Sequence, residues 1–389
     1  MKKVKKKSSL TKYFPMVLFA AVGAACGFFA ASYIDTITAN TGQFILWFVL
    51  LLMGLYLAVF LQLILHEAGH LVFGLLSGYH FSSFRIMSFM WVKEDGVLRF
   101  RRRSIAGTGG QCLMAPPELT DGKFPVLLYN LGGVLANLLL SGIAWGLSCA
   151  ATGVPLLLIW LRVLSITGIA LALMNGIPMH MGTVDNDGYN AFSLGKNPQA
   201  MRAFWVQLKV NQQVAAGIRL KDMPAEWFAL PEPDAMGNSM VATLAVFTCN
   251  RMVDAHQFAE ADALMARLLE MDSGIVGLHR SLMICDRVYI ELITQNRQEV
   301  LAQMLTKEQR KFMASMKTFP SVLRTEYVYA LLGEKNPGKA EKVKASFEKC
   351  AKTYPYSNDI QSERELMALA ERSSRGFDLP DTCQGSASE

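Results

Sequence analysis

The sequence predicts an α-helical polytopic membrane protein, with about four transmembrane helices and a membrane-proximal β-hairpin, joined to a soluble all-α domain. Hydrophobic residues make up 52% of the 389 residues and charged residues only 18%, which is too apolar for an ordinary soluble protein. Nearly all of the apolar excess lies before about residue 180. We therefore predict a membrane domain over 1–190, a cytosolic helical domain over 191–372 and a disordered tail over 373–389.

Charge and cysteine usage limit the compartment and the partners. The net charge of +6 is concentrated in a few clusters, which suits the surface of a lipid bilayer and does not indicate a nucleic-acid partner. The seven cysteines are scattered and form no Cys-x-x-Cys pair. Such a set predicts free thiols in a reducing compartment.

The first apolar segment runs from about Tyr13 to Ile34 and follows a cluster of lysines at the N-terminus. A cleaved signal peptide is the alternative, but the segment is long for one. We predict a retained transmembrane helix, and the lysines then place the N-terminus in the cytoplasm.

The second apolar segment, about Gly42 to Leu76, contains the pattern His-Glu-x-x-His at 66–70. Histidines four apart lie on one helix face about 5–6 Å apart, so His66 and His70 could bind one metal ion. Glu67 lies about 100° around the helix, where it could act on a metal-bound water. Ionisable residues inside a membrane helix indicate function. The alternative is a pair of packed histidines at the helix end, with Glu67 turned to water.

The polar connection over 78–123 predicts a β-hairpin. Two strand-like runs, Phe84 to Val92 and Val97 to Arg103, flank a turn at Lys93–Gly96. The arginines of the second run predict a cytoplasmic loop near lipid headgroups. Residues 106–110 predict a flexible, glycine-rich connector.

The third and fourth spans are predicted over about Phe124–Ala150 and Pro155–Ile177, which returns the chain to the cytoplasm. Small residues before Asn137 in the third span allow close helix packing, and Asn137 itself serves either that packing or substrate contact.

The fourth span ends at Asn175 and Pro178, which break the helix and free backbone groups. Asp187 follows and supplies a carboxylate on the side of the membrane predicted for His66 and His70. A catalytic zinc ion takes three protein ligands and keeps one position open, so Asp187 would complete the set. An ordinary turn at 185–188 is the alternative.

These three elements together resemble the site-2 protease family of intramembrane zinc metalloproteases. The family pattern is His-Glu-x-x-His, then Gly-x-x-x-Asn, then Asn-x-x-Pro followed by Asp-Gly. It matches 66–70, 133–137, 175–178 and 187–188 here. The stretch between the proline and the aspartate is longer than in the family, so Asp185 and His180 remain alternative third ligands.

The resemblance implies that His66, His70 and Asp187 bind Zn²⁺ and that Glu67 is the general base. It also implies a transmembrane protein or peptide substrate, such as an anti-sigma factor, a signal-peptide remnant or a pheromone precursor. Asn137 and Asn175 would hold the substrate backbone or the developing oxyanion. The hairpin would hold the unwound substrate by strand addition.

The C-terminal half predicts amphipathic helices that recur at roughly 40-residue intervals, which favours a degenerate tetratricopeptide-like repeat. A generic helical bundle is the alternative. One apolar stripe comprises Phe258, Ala261, Met265, Leu268 and Leu269, and another comprises Ala340, Val343, Phe347 and Ala351. We expect this domain to recruit a protein partner. A second hypothesis for the whole chain is a catalytically silent membrane scaffold that assembles a complex through these helices.

Overall fold

The computed structural model describes residues 41–94, 96–102, 109–151, 153–179 and 185–376, with isolated positions between 17 and 28. Most of the first predicted span, His180 and most of the predicted tail therefore lie outside the described residues. Contacts divide the chain into two compact units, one of residues 1–87 and 106–198, the other of residues 88–105 and 199–389. The first unit thus continues past the predicted boundary at 190, and the predicted hairpin belongs to the second unit.

Among the described residues of the first unit, three helices are long and apolar enough to cross a membrane. They are α1 (Thr41–Leu76), α2 (Leu127–Ala150) and α3 (Pro155–Gly176). Their bounds lie close to those predicted for the second, third and fourth spans. The number of passes and the orientation of the termini stay predictions.

Each of the three helices packs against the other two, although little of α1 is buried by protein. Ala58 of α1, Ala144 of α2 and Leu164 of α3 belong to one buried apolar cluster between the helices. Elsewhere α1 exposes large apolar groups, including Met53 and Tyr56. Exposed apolar area of this extent is unfavourable in water and favourable in lipid.

The first unit also contains the antiparallel strands β1 (His80–Ile86) and β4 (Gly110–Ala115). The predicted strand over 84–92 is interrupted, because Met87 adopts a φ of 55°, which extended chain does not use. The predicted flexible connector ends in regular structure, since Gly110 is the first residue of β4. Two short helical segments, α4 (Asp187–Ser193) and a 3₁₀ turn at Leu194–Lys196, follow α3.

The second unit begins with the antiparallel hairpin of β2 (Phe89–Glu94) and β3 (Val97–Arg102). Its turn lies where the sequence predicts it, and Trp91 pairs with Phe100. The inner face of the hairpin packs Met90 and Val92 against Ala215, which joins β2 to the helical part of the same unit.

The rest of the second unit is helical, as predicted. Its helices are α5 (Pro198–Ala215), α6 (Ser239–Asp254), α7 (Phe258–Glu270), α8 (Gly277–Thr294), α9 (Gln298–Met304), α10 (Lys307–Ser315), α11 (Pro320–Val328), α12 (Pro337–Ala351) and α13 (Ser357–Ser374). Both predicted stripes contribute to one core, with Phe258 and Phe347 fully buried. A tetratricopeptide-type repeat stays a prediction.

Candidate metal centre

The centre is built on the buried face of α1, where it meets α2. Gly69 and Gly132 bring the two backbones together, because a Cβ on Gly132 would lie 2.6 Å from the carbonyl oxygen of Gly69. The adjacent Gly133 leaves room for an imidazole, since a Cβ there would lie 2.5 Å from Cε1 of His66. The two adjacent glycines of α2 therefore have separate roles: Gly132 allows the helix contact, and Gly133 accommodates the His66 ring.

Three metal-ligating side chains converge at this helix contact. Nε2 of His66 lies 3.2 Å from Nε2 of His70. Oδ2 of Asp187 lies 3.1 Å from Nε2 of His66 and 3.4 Å from Nε2 of His70. The structure thus brings together the two histidines of the sequence motif and the carboxylate predicted to join them.

Asn186 places Asp187 by joining the end of α3 to the start of α4. Its Nδ2 donates to the carbonyl oxygens of Met174 at 2.8 Å and Ile177 at 2.6 Å, which the helix break leaves available. Its Oδ1 accepts from the backbone N–H of Tyr189 and so forms the N-cap of α4. Asp187, the next residue, is held beside the histidines by these bonds.

The remaining ring nitrogens face hydrogen-bond acceptors. Nδ1 of His70 lies 2.7 Å from the carbonyl oxygen of Tyr129, and Nδ1 of His66 lies 2.7 Å from Oδ1 of Asn137. Nδ2 of Asn137 donates to the backbone carbonyl of Gln62, so its Oδ1 must be the atom that faces His66. Both Nδ1 atoms therefore carry protons as donors, which leaves Nε2 as the atom that each ring can offer to a metal ion.

This donor set fits a metal ion of the zinc type. Two Nε2 lone pairs and a carboxylate oxygen converge on one point, an arrangement that repels itself unless a cation lies between them. Zinc with ligands at about 2.0–2.2 Å in tetrahedral array separates adjacent ligand atoms by about 3.3–3.6 Å, close to the spacings observed.

Glu67 lies beside the cluster without joining it. The residue is 7% exposed, and a Cβ on Gly110 would lie 2.5 Å from Oε1 of Glu67. The first residue of β4 is a glycine where the strand passes the carboxylate. In the described part of the chain, no donor forms a hydrogen bond with Glu67, so its oxygens are available to water or substrate.

The other predicted site residues do not belong to the group of three candidate ligands. Asn137 is fully buried and is committed to His66 and Gln62. Asn175 is half-buried and donates to the carbonyl of Leu171 within α3. Asp185 is described but does not belong to the ligand group.

Two residues of the site, Gln62 and Asn186, have roles that sequence reasoning did not assign. A signal existed for Gln62, since it is an amide within an otherwise apolar run and lies one turn before His66. In the sequence, Asn186 is typical of a turn residue. Its bonds to the carbonyls freed by the helix break depend on the three-dimensional structure and have no sequence signal.

Comparison with protein-family models, with curated proteins and with solved structures finds no match to this chain. The chemistry of the centre is therefore judged on its own residues.

Proposed function

We propose that the chain is an intramembrane zinc endopeptidase that cleaves a peptide bond within or near a transmembrane segment of a protein or peptide. The observation that carries this proposal is the convergence of His66, His70 and Asp187 beside Glu67, on helices apolar enough to cross a membrane. The resemblance of the three sequence motifs to the site-2 protease family supports the same function.

His66, His70 and Asp187 would hold the zinc ion. When bound, zinc supplies Lewis-acid chemistry: it polarises a carbonyl group and lowers the pKa of water towards 7. The hydrogen bonds at the two Nδ1 atoms fix the orientation of both rings and leave Nε2 as the atom available to the metal. Asn186 keeps Asp187 in place while substrate enters and leaves.

Glu67 is the general base in this proposal. Its carboxylate has no competing hydrogen bond among the described residues, and Glu67 adjoins the ligand His66 on α1. It accepts a proton from the attacking water and passes that proton to the amide nitrogen of the leaving strand. Its buried position next to β4 limits the access of bulk water to the proton being transferred.

The substrate has to be extended before its backbone can reach these groups, because helical hydrogen bonds shield the scissile bond. In the described part of the chain, β4 is an edge strand, and its first residue lies against Glu67. We propose that the unwound substrate adds to β4 by backbone pairing. The hairpin of β2 and β3, which the sequence favours for this role, is the alternative.

Photocrosslinking separates these two binding strands. A photoreactive residue in place of Gln111 on β4 is expected to capture substrate in a Glu67→Gln background, whereas one in place of Phe100 on β3 is not. Capture from Phe100 alone would assign substrate binding to the hairpin.

The function is tested by comparing membrane proteomes of cells that carry the wild type, Glu67→Gln or Glu118→Gln. Glu118 is an exposed glutamate of the same unit and serves as the matched control. We expect one single-span protein to accumulate uncut with Glu67→Gln only, because loss of a general base slows turnover about 10²–10⁴-fold. If the membranes match although deletion of the protein has a phenotype, the scaffold hypothesis replaces proteolysis.

A further inference from the structure

Gln62 is an unusual residue for the middle of a membrane helix. It is fully buried on α1, one turn before His66. An amide in apolar surroundings is costly unless its hydrogen bonds are satisfied. The structure satisfies both ends of this side chain, with partners on two neighbouring helices.

The orientation of the Gln62 amide is fixed by its partner on α3. Nε2 donates to the backbone carbonyl of Leu164 at 2.9 Å, and a carbonyl can only accept. Oε1 therefore faces the other way and accepts from Nδ2 of Asn137 at 2.7 Å. Gln62 thus links α1 to α3 and, through Asn137, to α2.

Asn137 passes this orientation on to the metal centre. Nδ2 of Asn137 donates both to Oε1 and to the backbone carbonyl of Gln62, so Oδ1 is the atom that accepts from Nδ1 of His66. Reversal of the Asn137 amide would place a donor against a donor. The bond pattern therefore fixes both the ring orientation of His66 and the tautomer that leaves Nε2 free for metal.

The packing around Gln62 leaves the amide little freedom. A Cβ on Gly168 of α3 would clash with Nε2 of Gln62 and with Oγ of Ser141, so the glycine makes the space that these two side chains fill. Any larger residue at position 168 has to displace the Gln62 amide or separate the helices.

We propose that Gln62 is a positioning residue of the metal centre, which acts on His66 through Asn137. The inference rests on the proposed metal centre, though not on proteolysis. Groups that orient a metal-bound histidine in this way commonly change metal affinity 10–100-fold when they are removed.

The test measures the affinity of the purified full-length protein in detergent for Co²⁺ and Zn²⁺, by competition with a chelating dye. Gln62→Met keeps the size of the side chain and removes both hydrogen bonds; we expect affinity to fall about 10-fold, with a changed visible spectrum of bound Co²⁺. Asn137→Ala should weaken binding about 10–100-fold. The double variant should bind no more weakly than Asn137→Ala alone, because both substitutions break one path.

Ser165→Ala is the matched control. Ser165 is equally buried at a helix contact, but it donates to the backbone carbonyl of Ser141 and has no bond to Asn137. Its loss should leave metal affinity and the Co²⁺ spectrum unchanged. Gly168→Ala gives a second route, since it displaces the Gln62 amide without removing it, and should weaken binding several-fold even if Gln62→Met fails to fold.

Three results would overturn the inference, and they differ in meaning. Wild-type affinity in both Gln62→Met and Gly168→Ala would show that Gln62 does not position the centre. Losses that multiply in the double variant would show that Gln62 acts independently of Asn137. Absence of Co²⁺ and Zn²⁺ binding by the wild type would refute the metal centre itself.

Discussion

In the second unit, Arg324 lies between two carboxylates, whereas in the first unit the carboxylate of Asp187 faces two imidazoles. Nη2 of Arg324 lies 2.5 Å from Asp286, and its Nε lies 2.9 Å from Glu363. Around Asp187, the described residues place no lysine or arginine within ion-pair distance. Both carboxylates around Arg324 have a guanidinium partner within the chain, whereas Asp187 has only imidazole partners among the described residues.

The two units therefore differ in how their buried ionisable groups are partnered. A second network in the same unit also joins one guanidinium to two carboxylates. Arg219 lies 2.6 Å from Asp254 and 2.7 Å from Glu365. Such networks hold helices together through ion pairs between side chains. In the cluster of the first unit, both Nδ1 atoms face hydrogen-bond acceptors, while the two Nε2 atoms and the Asp187 carboxylate face one another, which is the arrangement that the proposed metal centre requires.

The largest effect is expected from removing the third ligand. Asp187→Asn should weaken Zn²⁺ binding by more than about 100-fold, beyond the loss typical of residues that only orient a ligand. Asp185→Asn and His180→Ala, the alternatives left by the sequence, should bind Zn²⁺ like the wild type. Competition with a chelating dye measures all three, and a larger loss in either alternative would reassign the ligand.

The next largest effect is expected in the second unit. Arg324→Ala leaves Asp286 and Glu363 buried without a counter-charge and should lower the free energy of unfolding by about 3–5 kcal/mol. Arg364→Ala breaks an exposed pair with Glu348 and should cost less than about 1 kcal/mol. Denaturant unfolding followed by helix content compares them, and equal losses would mean that the Arg324 network is not a structural unit.

A smaller effect is expected from adding a methyl group at the helix contact. Gly133→Ala places a Cβ against the His66 ring and should destabilise the first unit by up to about 3 kcal/mol, with loss of metal binding. Gly142→Ala and Gly146→Ala, on the same helix with open space at Cβ, should be neutral or stabilising. Thermal unfolding and metal affinity in detergent distinguish the three, and equal behaviour would contradict the assigned packing.

The smallest effect is a pH dependence of the second unit. Burial, with repulsion from Asp286 and Asp359, raises the pKa of Glu363 from 4.5 to about 7 against the opposing effect of Arg324. A carboxyl group with a raised folded-state pKa stabilises the fold at low pH, and that stabilisation is lost as the pH rises from 4.5 through 7. We expect a loss of about 2 kcal/mol between pH 5 and pH 7.

Glu363→Gln keeps an acceptor for Arg324 but cannot ionise. The variant should therefore show a flatter dependence of unfolding free energy on pH over the same window. An unchanged slope would show that another group is responsible.

The sequence predicts most of the first unit because long apolar runs determine helices directly. The bounds of α1, α2 and α3 follow from hydropathy. In the second unit, the hairpin follows from the turn at 93–96. The pairing of β1 with β4 was not predicted, because the contact joins short strands separated by a long connection, with Met87 interrupting the apparent run.

Within the site, His66, Glu67 and His70 could be predicted because their spacing on one helix determines a shared face. Asp187 could be proposed only with alternatives, since its position depends on how Asn186 joins α3 to α4. The sequence does not decide between helix packing and substrate contact for Asn137. In the structure, Asn137 forms a hydrogen bond with His66. That contact crosses between two helices, and no local pattern encodes it.

The position of Asp187 along the chain also affects the order of assembly. His66 and His70 lie on the first of the three described apolar helices, whereas Asp187 follows the third. During synthesis, the donor set cannot be complete until α2 and α3 have been made, inserted and packed against α1. Metal capture at the proposed centre would then follow the packing of all three helices, and a chain that ends before Asp187 would lack the third ligand.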